Sequence, residues 1–365
     1  MYQSPALFLG LTSLLLTACS ATPLPAIRAN TGTVPSMSGG PAIFGSGTYP
    51  RANTLADGSI IGAYTDFSHG DNIIKTVRSQ DGGSTWAAWG EVIRGPSNAN
   101  DIDNPYVLQL PSGRVICAFR NHSKDPATGA YLTFRITVTV SDDQGQTWAF
   151  LSEPASDPGP VNGSWEPFLR NAQDGSLQIY YSRENSAADQ DTLERTSADG
   201  TGEIWSDAQT ISGAGMISRD GMTGVATVSG SSLMAVFESE SGGTFTIMAI
   251  TSPDDGKTWG NRQTVYTPES PNTSAGAPQI VNVGGTLGVS FMTNEDTSLP
   301  APSPSYTSNT AAKFITSGDG GATWGNKIIV GQVQSVWPGL YTLDGSSLLM
   351  MFDNGGAKAQ KITLS

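Results

Sequence analysis

Two glutamates stand in surroundings that suit catalysis. Glu166 lies in Trp165-Glu166-Pro167-Phe168, and Glu238 closes the apolar run 233–237 in Ala235-Val236-Phe237-Glu238. A carboxyl withdrawn from water holds its proton more tightly unless a partner compensates. Two carboxyls facing each other across a polar cleft are what glycoside hydrolysis uses. One protonates the leaving oxygen, and the other attacks the anomeric carbon or activates water. An isolated Glu beside Trp and Pro also fits a strand-end ion pair, so local context alone leaves both readings open.

Other groups of the right chemistry are few. Arg51, in Tyr49-Pro50-Arg51-Ala52, and the pair Arg219-Asp220 suit either an anionic or hydroxyl-rich ligand or a buried ion pair between structural units. Trp165, Tyr180, Tyr181, Trp337 and Tyr341 fit sugar stacking and core packing equally well. Asp66, Asp103, Glu184, Glu240 and Glu295 are competing acids. His69 and His122 are too few and too far apart to suggest a metal centre. No cofactor and no metal are expected.

The elements that must position these residues are written in repeats. A Ser-x-Asp-x-Gly-x-Thr-Trp octet occupies 79–86, 141–148, 252–259 and 317–324, with a decayed fifth copy from Ser197 through Asp199 to Trp205. Its Asp suits hydrogen bonds to turn amides, its Gly a positive φ, and its Trp a plug for the layer beneath. The octet acids are therefore structural. A second motif, a Gly/Ser turn followed by an apolar strand, recurs six times, at 57–61, 111–116, 174–177, 229–233, 284–287 and 344–348. With 43 Gly, 22 Pro and only 14% charged residues, the 365-residue chain reads as an all-β, turn-rich protein. Six turns and five octets predict a single six-bladed β-propeller over 41–365, of about four strands per blade, closed by residues around 42–49. The Pro-rich stretch 300–304 reads as a surface loop.

Residues 1–20 read as a secretory signal: an apolar, Leu-rich run over 6–18, then small residues and Pro. Residues 21–40 read as a flexible N-terminal segment. Leu16-Thr17-Ala18-Cys19 also fits a lipoprotein acylation box. Once the leader is removed Cys117 is the sole thiol, and Asn121, Asn162 and Asn272 are glycosylation sequons. The net charge of −13 opposes binding to nucleic acid and to anionic membrane. A secreted monomer is expected.

The octets resemble the Asp-boxes (BNR repeats) of the sialidase superfamily. Within it, Val161-Asn162-Gly163-Ser164-Trp165-Glu166-Pro167-Phe168-Leu169-Arg170 and Tyr180-Tyr181-Ser182-Arg183-Glu184-Asn185 resemble the fungal exo-arabinanases of glycoside hydrolase family 93. Arg219-Asp220-Gly221-Met222 and Ala235-Val236-Phe237-Glu238 fit the same family. The resemblance implies a sialidase-like six-bladed propeller that releases arabinobiose, with retention, from the non-reducing end of α-1,5-linked arabinan. It places the catalytic pair on Glu166 and Glu238, with Glu166 as acid/base and Glu238 as nucleophile, the reverse allocation remaining open. Arg51, Trp165, Tyr181, Arg219, Asp220, Trp337 and Tyr341 are the expected substrate contacts.

Two rivals come from other classes. Sialidases resemble one another in gripping a carboxylate with three arginines. Arg51 and Arg219 would fill two seats, but no Arg follows Arg262, so the third is empty, although Tyr341 stands about where a sialidase nucleophile would. A propeller lectin would repeat its binding residues in every blade, whereas Trp165-Glu166 and Phe237-Glu238 each occur once.

Overall fold

The structure is a computed structural model that describes residues 33–297 and 307–365. The expected leader with Cys19 and the Pro-rich stretch 300–304 lie outside the described residues. Within them the fold is all-β and propeller-like, without a helix.

Consecutive strands pair antiparallel as four-stranded meanders. The first runs Thr48–Thr54, Ile60–Ser68, Asp71–Ser79 and Ala87–Pro96, and the second starts at Asn100–Gln109. Further meanders start at Ser164–Asn171, Arg219–Ser229, Ala275–Val283 and Val336–Thr342. The strands make five hydrogen-bonded sheets, not six separate ones. The meanders of 164–212 and 219–266 share an eight-stranded sheet, joined by one parallel bridge between Gln190 and Arg219. The starting strands form a closed inner ring. Thr48–Thr54 packs against Asn100–Gln109, each later starting strand against the next, and Val336–Thr342 back against Thr48–Thr54.

Chain ends close the ring. Ala42–Gly45 pairs with the last strand, Ala357–Leu364, as the sequence led one to expect of residues near 42–49, while Thr48 onward already belongs to the first meander. Pro35–Met37, in the stretch expected to be flexible, also pairs with Ala357–Leu364.

Second strands are covered on both faces over their first five or six residues, which are largely apolar. Ile61, Ala63, Leu233 to Phe237 and Leu287 to Met292 include many side chains with no exposure at all. Core layers lie between neighbouring sheets. In one, Leu108, Ile116 and Val138 of the second meander meet Leu169, Leu177 and Ile179 of the third.

The octets do what their residue types require. Asp143 accepts the Thr147 amide at 2.9 Å and its hydroxyl at 2.6 Å, and these bonds hold its carboxyl down at about 2. Asp81, Asp254 and Asp319 repeat the geometry. Trp148 donates to the Gly145 carbonyl at 3.0 Å. Gly145 has φ 94°, and a Cβ there would lie 2.4 Å from Ile61 of the preceding meander, so only glycine lets the turn seat against its neighbour. In the decayed copy Trp205 donates instead to the Ser152 hydroxyl, at 3.0 Å. Octets join third to fourth strands and the Gly/Ser turns join first to second, so antiparallel pairing puts both motifs at one end of the ring. The opposite end is left to the chemistry.

Candidate active site

At that opposite end every inner strand carries the same defect. Register slips occur at 48/51, 103/106, 165/168, 221/224, 276/279 and 336/339. Each slip holds a non-glycine residue with positive φ: Tyr49, Asn104, Glu166, Met222, Ala277 and Trp337, with φ from 42° to 57°. Such conformations cost of order 1–3 kcal/mol each and persist only where the surroundings enforce them. The bulge turns residues out of the ladder toward the centre of the ring.

A cavity of about 450 Å³ opens there, lined by Trp165, Glu166, Glu184, Gln190, Arg219, Met222, Glu238, Glu240, Gly243, Phe245 and Trp337. Glu166 sits on its bulge at the head of strand Ser164–Asn171, and Glu238 near the end of strand Ser232–Glu240. Burial pushes the Glu166 carboxyl up to about 8 from an ordinary value of 4.5, and the charge of Glu238 adds to the rise. Arg120 and a hydrogen bond with Ser182 oppose it. Glu238 is nearly buried, and its Oε2 accepts the Ala277 amide at 2.7 Å. An amide donating to an ionised carboxylate makes a charge-assisted bond that orients it. The pair is therefore one carboxyl whose burial favours its protonated form and one carboxyl held in place by a backbone amide.

Support for Glu166 comes from the neighbouring meander, and sequence reading missed it. The Arg120 guanidinium lies 5.4 Å from the Trp165 ring centre and pairs with Asp101 at 3.0 Å and Asp103 at 3.2 Å. His122, without exposure, stands edge-on to Trp165 with ring centres 5.0 Å apart. Burial drives its pKa down to about 3, and Nδ1 accepts the Arg135 amide at 3.0 Å, so it is a neutral packing group.

Of the expected contacts, Trp165, Arg219 and Trp337 line the cavity with both glutamates, whereas four do not. Arg51 is buried, stacked on Tyr49 with 4.0 Å from guanidinium carbon to ring centre. Its Nη1 donates to the Pro50 and Trp337 carbonyls. Tyr181 belongs to the core and accepts from Arg195 at 3.1 Å. Asp220 points away from the cavity to Arg262, Ser212 and Ser218. Tyr341 lies past the bulge, toward the octet end, bonded to Thr54 at 2.6 Å in a second cavity of about 380 Å³. Strand alternation separates Asp220 from Arg219, and position along the inner strand separates Tyr341 from Trp337. Arg219 itself is engaged by Glu184 at 2.7 Å and Gln190 at 2.9 Å, so it is no free anion clamp. Among the competing acids, Glu184 and Glu240 reach the cavity.

One sequence signal for this geometry went unread. Five bulges are X-Pro dipeptides, namely Tyr49-Pro50, Asn104-Pro105, Glu166-Pro167, Ala277-Pro278 and Trp337-Pro338, and Met222-Thr223 holds the remaining place.

No protein-family model and no curated protein matches the chain. Solved structures do. The GH93 α-L-arabinofuranosidase of Fusarium graminearum in complex with arabinobiose is 21% identical, with a TM-score of 0.67 over 89% of this chain and 98% of that one. The Penicillium chrysogenum α-L-arabinanase complexed with arabinobiose is 19% identical, with a TM-score of 0.68 over 90% and 99%. A Hadza microbial sialidase gives 18% and a TM-score of 0.58, over 87% of this chain and 65% of its own. At these identities the likeness establishes the fold.

Proposed function

We propose that the protein is a secreted, retaining exo-α-1,5-L-arabinanase of the family 93 type, built on a six-bladed propeller. The observation that carries the reading is the differently held pair in one cavity, Glu166 buried so that its protonated form is favoured and Glu238 oriented by the Ala277 amide. In the first step Glu166 gives its proton to the leaving glycosidic oxygen while a Glu238 oxygen attacks the anomeric carbon, forming a glycosyl ester. In the second, Glu166, now ionised, takes a proton from water, which attacks the same carbon and frees Glu238. Two displacements at one carbon return the original configuration.

The fold shared with two enzymes solved with arabinobiose supports the substrate class. The balance of charge supports a neutral sugar: four glutamates line the cavity, and its one arginine already pairs with Glu184. A sialate or uronate carboxylate would meet net repulsion. The six-blade reading rests on six inner strands with six equivalent bulges, taking the eight-stranded sheet as two blades in contact.

The test is product analysis on linear α-1,5-arabinan with sialyllactose in parallel. Arabinobiose from the first and nothing from the second is the expected result. Free sialic acid without arabinan cleavage would replace the reading with a sialidase. Inactivity on both would move the assignment to another sugar or to a lectin.

A further inference from the structure

One wall of the cavity is not used by the two-glutamate chemistry. It is the hairpin joining strand Ser232–Glu240 to strand Phe245–Ser252. Glu240, Gly243 and Phe245 of this hairpin line the same cavity as Glu238. Glu238 and Glu240 are two residues apart on one strand, so their side chains leave from one face, about 7 Å apart along it. That step is comparable to the advance of one unit in an extended oligosaccharide. Glu240 pairs in register with Phe245, and the Gly243 amide donates to Glu240 Oε1 at 2.6 Å, folding the tip back over the acid. Gly242 and Gly243, at φ 81° and 96°, make that reversal possible. The Phe245 amide donates to Ser274 at 3.1 Å, which ties the returning strand to the next loop.

We propose that this hairpin is the barrier that makes the enzyme exo-acting and sets the length of its product. A polysaccharide end enters as far as Glu240, Gly243 and Phe245 and stops. Glu240 accepts a hydroxyl of the terminal sugar. With one sugar at Glu240 and the next at Glu238, the bond presented to the catalytic pair is the second from the non-reducing end, and a disaccharide leaves. This inference rests on the arabinanase reading and adds the element that measures the substrate.

The experiment compares wild type with two variants on linear α-1,5-arabinan, resolving products by chain length. In one variant residues 241–244 are replaced by a two-residue Asn-Gly turn, and in the other Glu240→Gln is introduced. Wild type should release the disaccharide alone. The shortened hairpin should release a ladder of longer oligosaccharides and lower the viscosity of the polymer, a sign of internal cuts. Glu240→Gln should raise KM about tenfold with kcat within about twofold, because it weakens a bond to a sugar remote from the reacting carbon. It also keeps the proposal testable should the shortened hairpin fail to fold. A disaccharide as sole product of the shortened variant, or unchanged KM in Glu240→Gln, overturns the proposal while leaving the arabinanase reading intact. A wild-type protein that releases nothing from arabinan overturns both.

Discussion

The backbone amide of Ala277 donates to Glu238 Oε2 at 2.7 Å, and it is free to do so because Ala277 sits on an inner-strand bulge at φ 51°. Glu166 occupies the equivalent bulge two inner strands earlier, at φ 42°. One backbone defect thus serves twice. In one strand it lifts an acid into the cavity, and in another it turns an amide toward the partner acid.

Replacing either acid should separate their roles. Glu166→Gln should lower turnover on arabinan by roughly 10²–10⁴-fold while leaving the circular dichroism spectrum unchanged. On an arabinoside with a good leaving group that loss should shrink, and azide should restore turnover with a product of retained configuration. Glu238→Ala with azide should give the inverted product. Near-wild-type arabinan turnover in Glu166→Gln would remove it from the mechanism.

Stereochemistry gives an independent check. Proton NMR of the first product formed should show the anomeric configuration of the substrate. Inversion would require the two carboxyls to stand farther apart, roughly 6.5–9.5 Å, with water between them.

The pH profile should report the raised carboxyl. As general acid Glu166 must be protonated, so kcat/KM should fall on the alkaline side with an apparent pKa near the value of about 8. Carbon-13 NMR of labelled glutamate should show that titration directly. Because the charge of Glu238 raises it, Glu238→Gln should move it to lower pH.

Stability should carry the same signature with a definite sign. The folded state binds this proton more tightly than the unfolded chain, so its contribution is greatest below about 4.5 and is lost as pH rises toward about 8. Glu166→Gln should therefore leave Tm unchanged near pH 4 and raise it by a few degrees at pH 8 and above. A Tm difference independent of pH would argue against the shift.

An octet acid should behave in the opposite way. Asp254 accepts the Thr258 amide at 2.8 Å and hydroxyl at 2.7 Å, at the end of the ring away from the cavity. Asp254→Ala should lower Tm, because the Thr258 amide and hydroxyl lose their acceptor, with kcat unchanged. Loss of activity in a fully folded variant would contradict the structural role.

Whatever is local and repeated can be read along the chain. The octet and turn motifs announce the meanders because each is one hydrogen-bonded turn, complete within about eight residues and forced by Asp, Gly and Trp in fixed order. Glu238 is conspicuous in one dimension as an acid that closes an apolar strand, whereas Glu166 is marked only by its Trp-Glu-Pro-Phe setting. Which charged and aromatic residues share the cavity depends on how the sheets assemble. Arg51, Tyr181, Asp220 and Tyr341 match the expected residue types. Their fate turns on strand face and on height within the ring, which depend on bulges and on neighbouring sheets. Arg120 and His122 act on the site from another meander, more than forty residues from Glu166 in sequence, and no local pattern marks them. Charge settles the rest. Whether Arg219 grips an anion or is spent on Glu184 is a matter of a few ångströms between strands, fixed only when the ring closes.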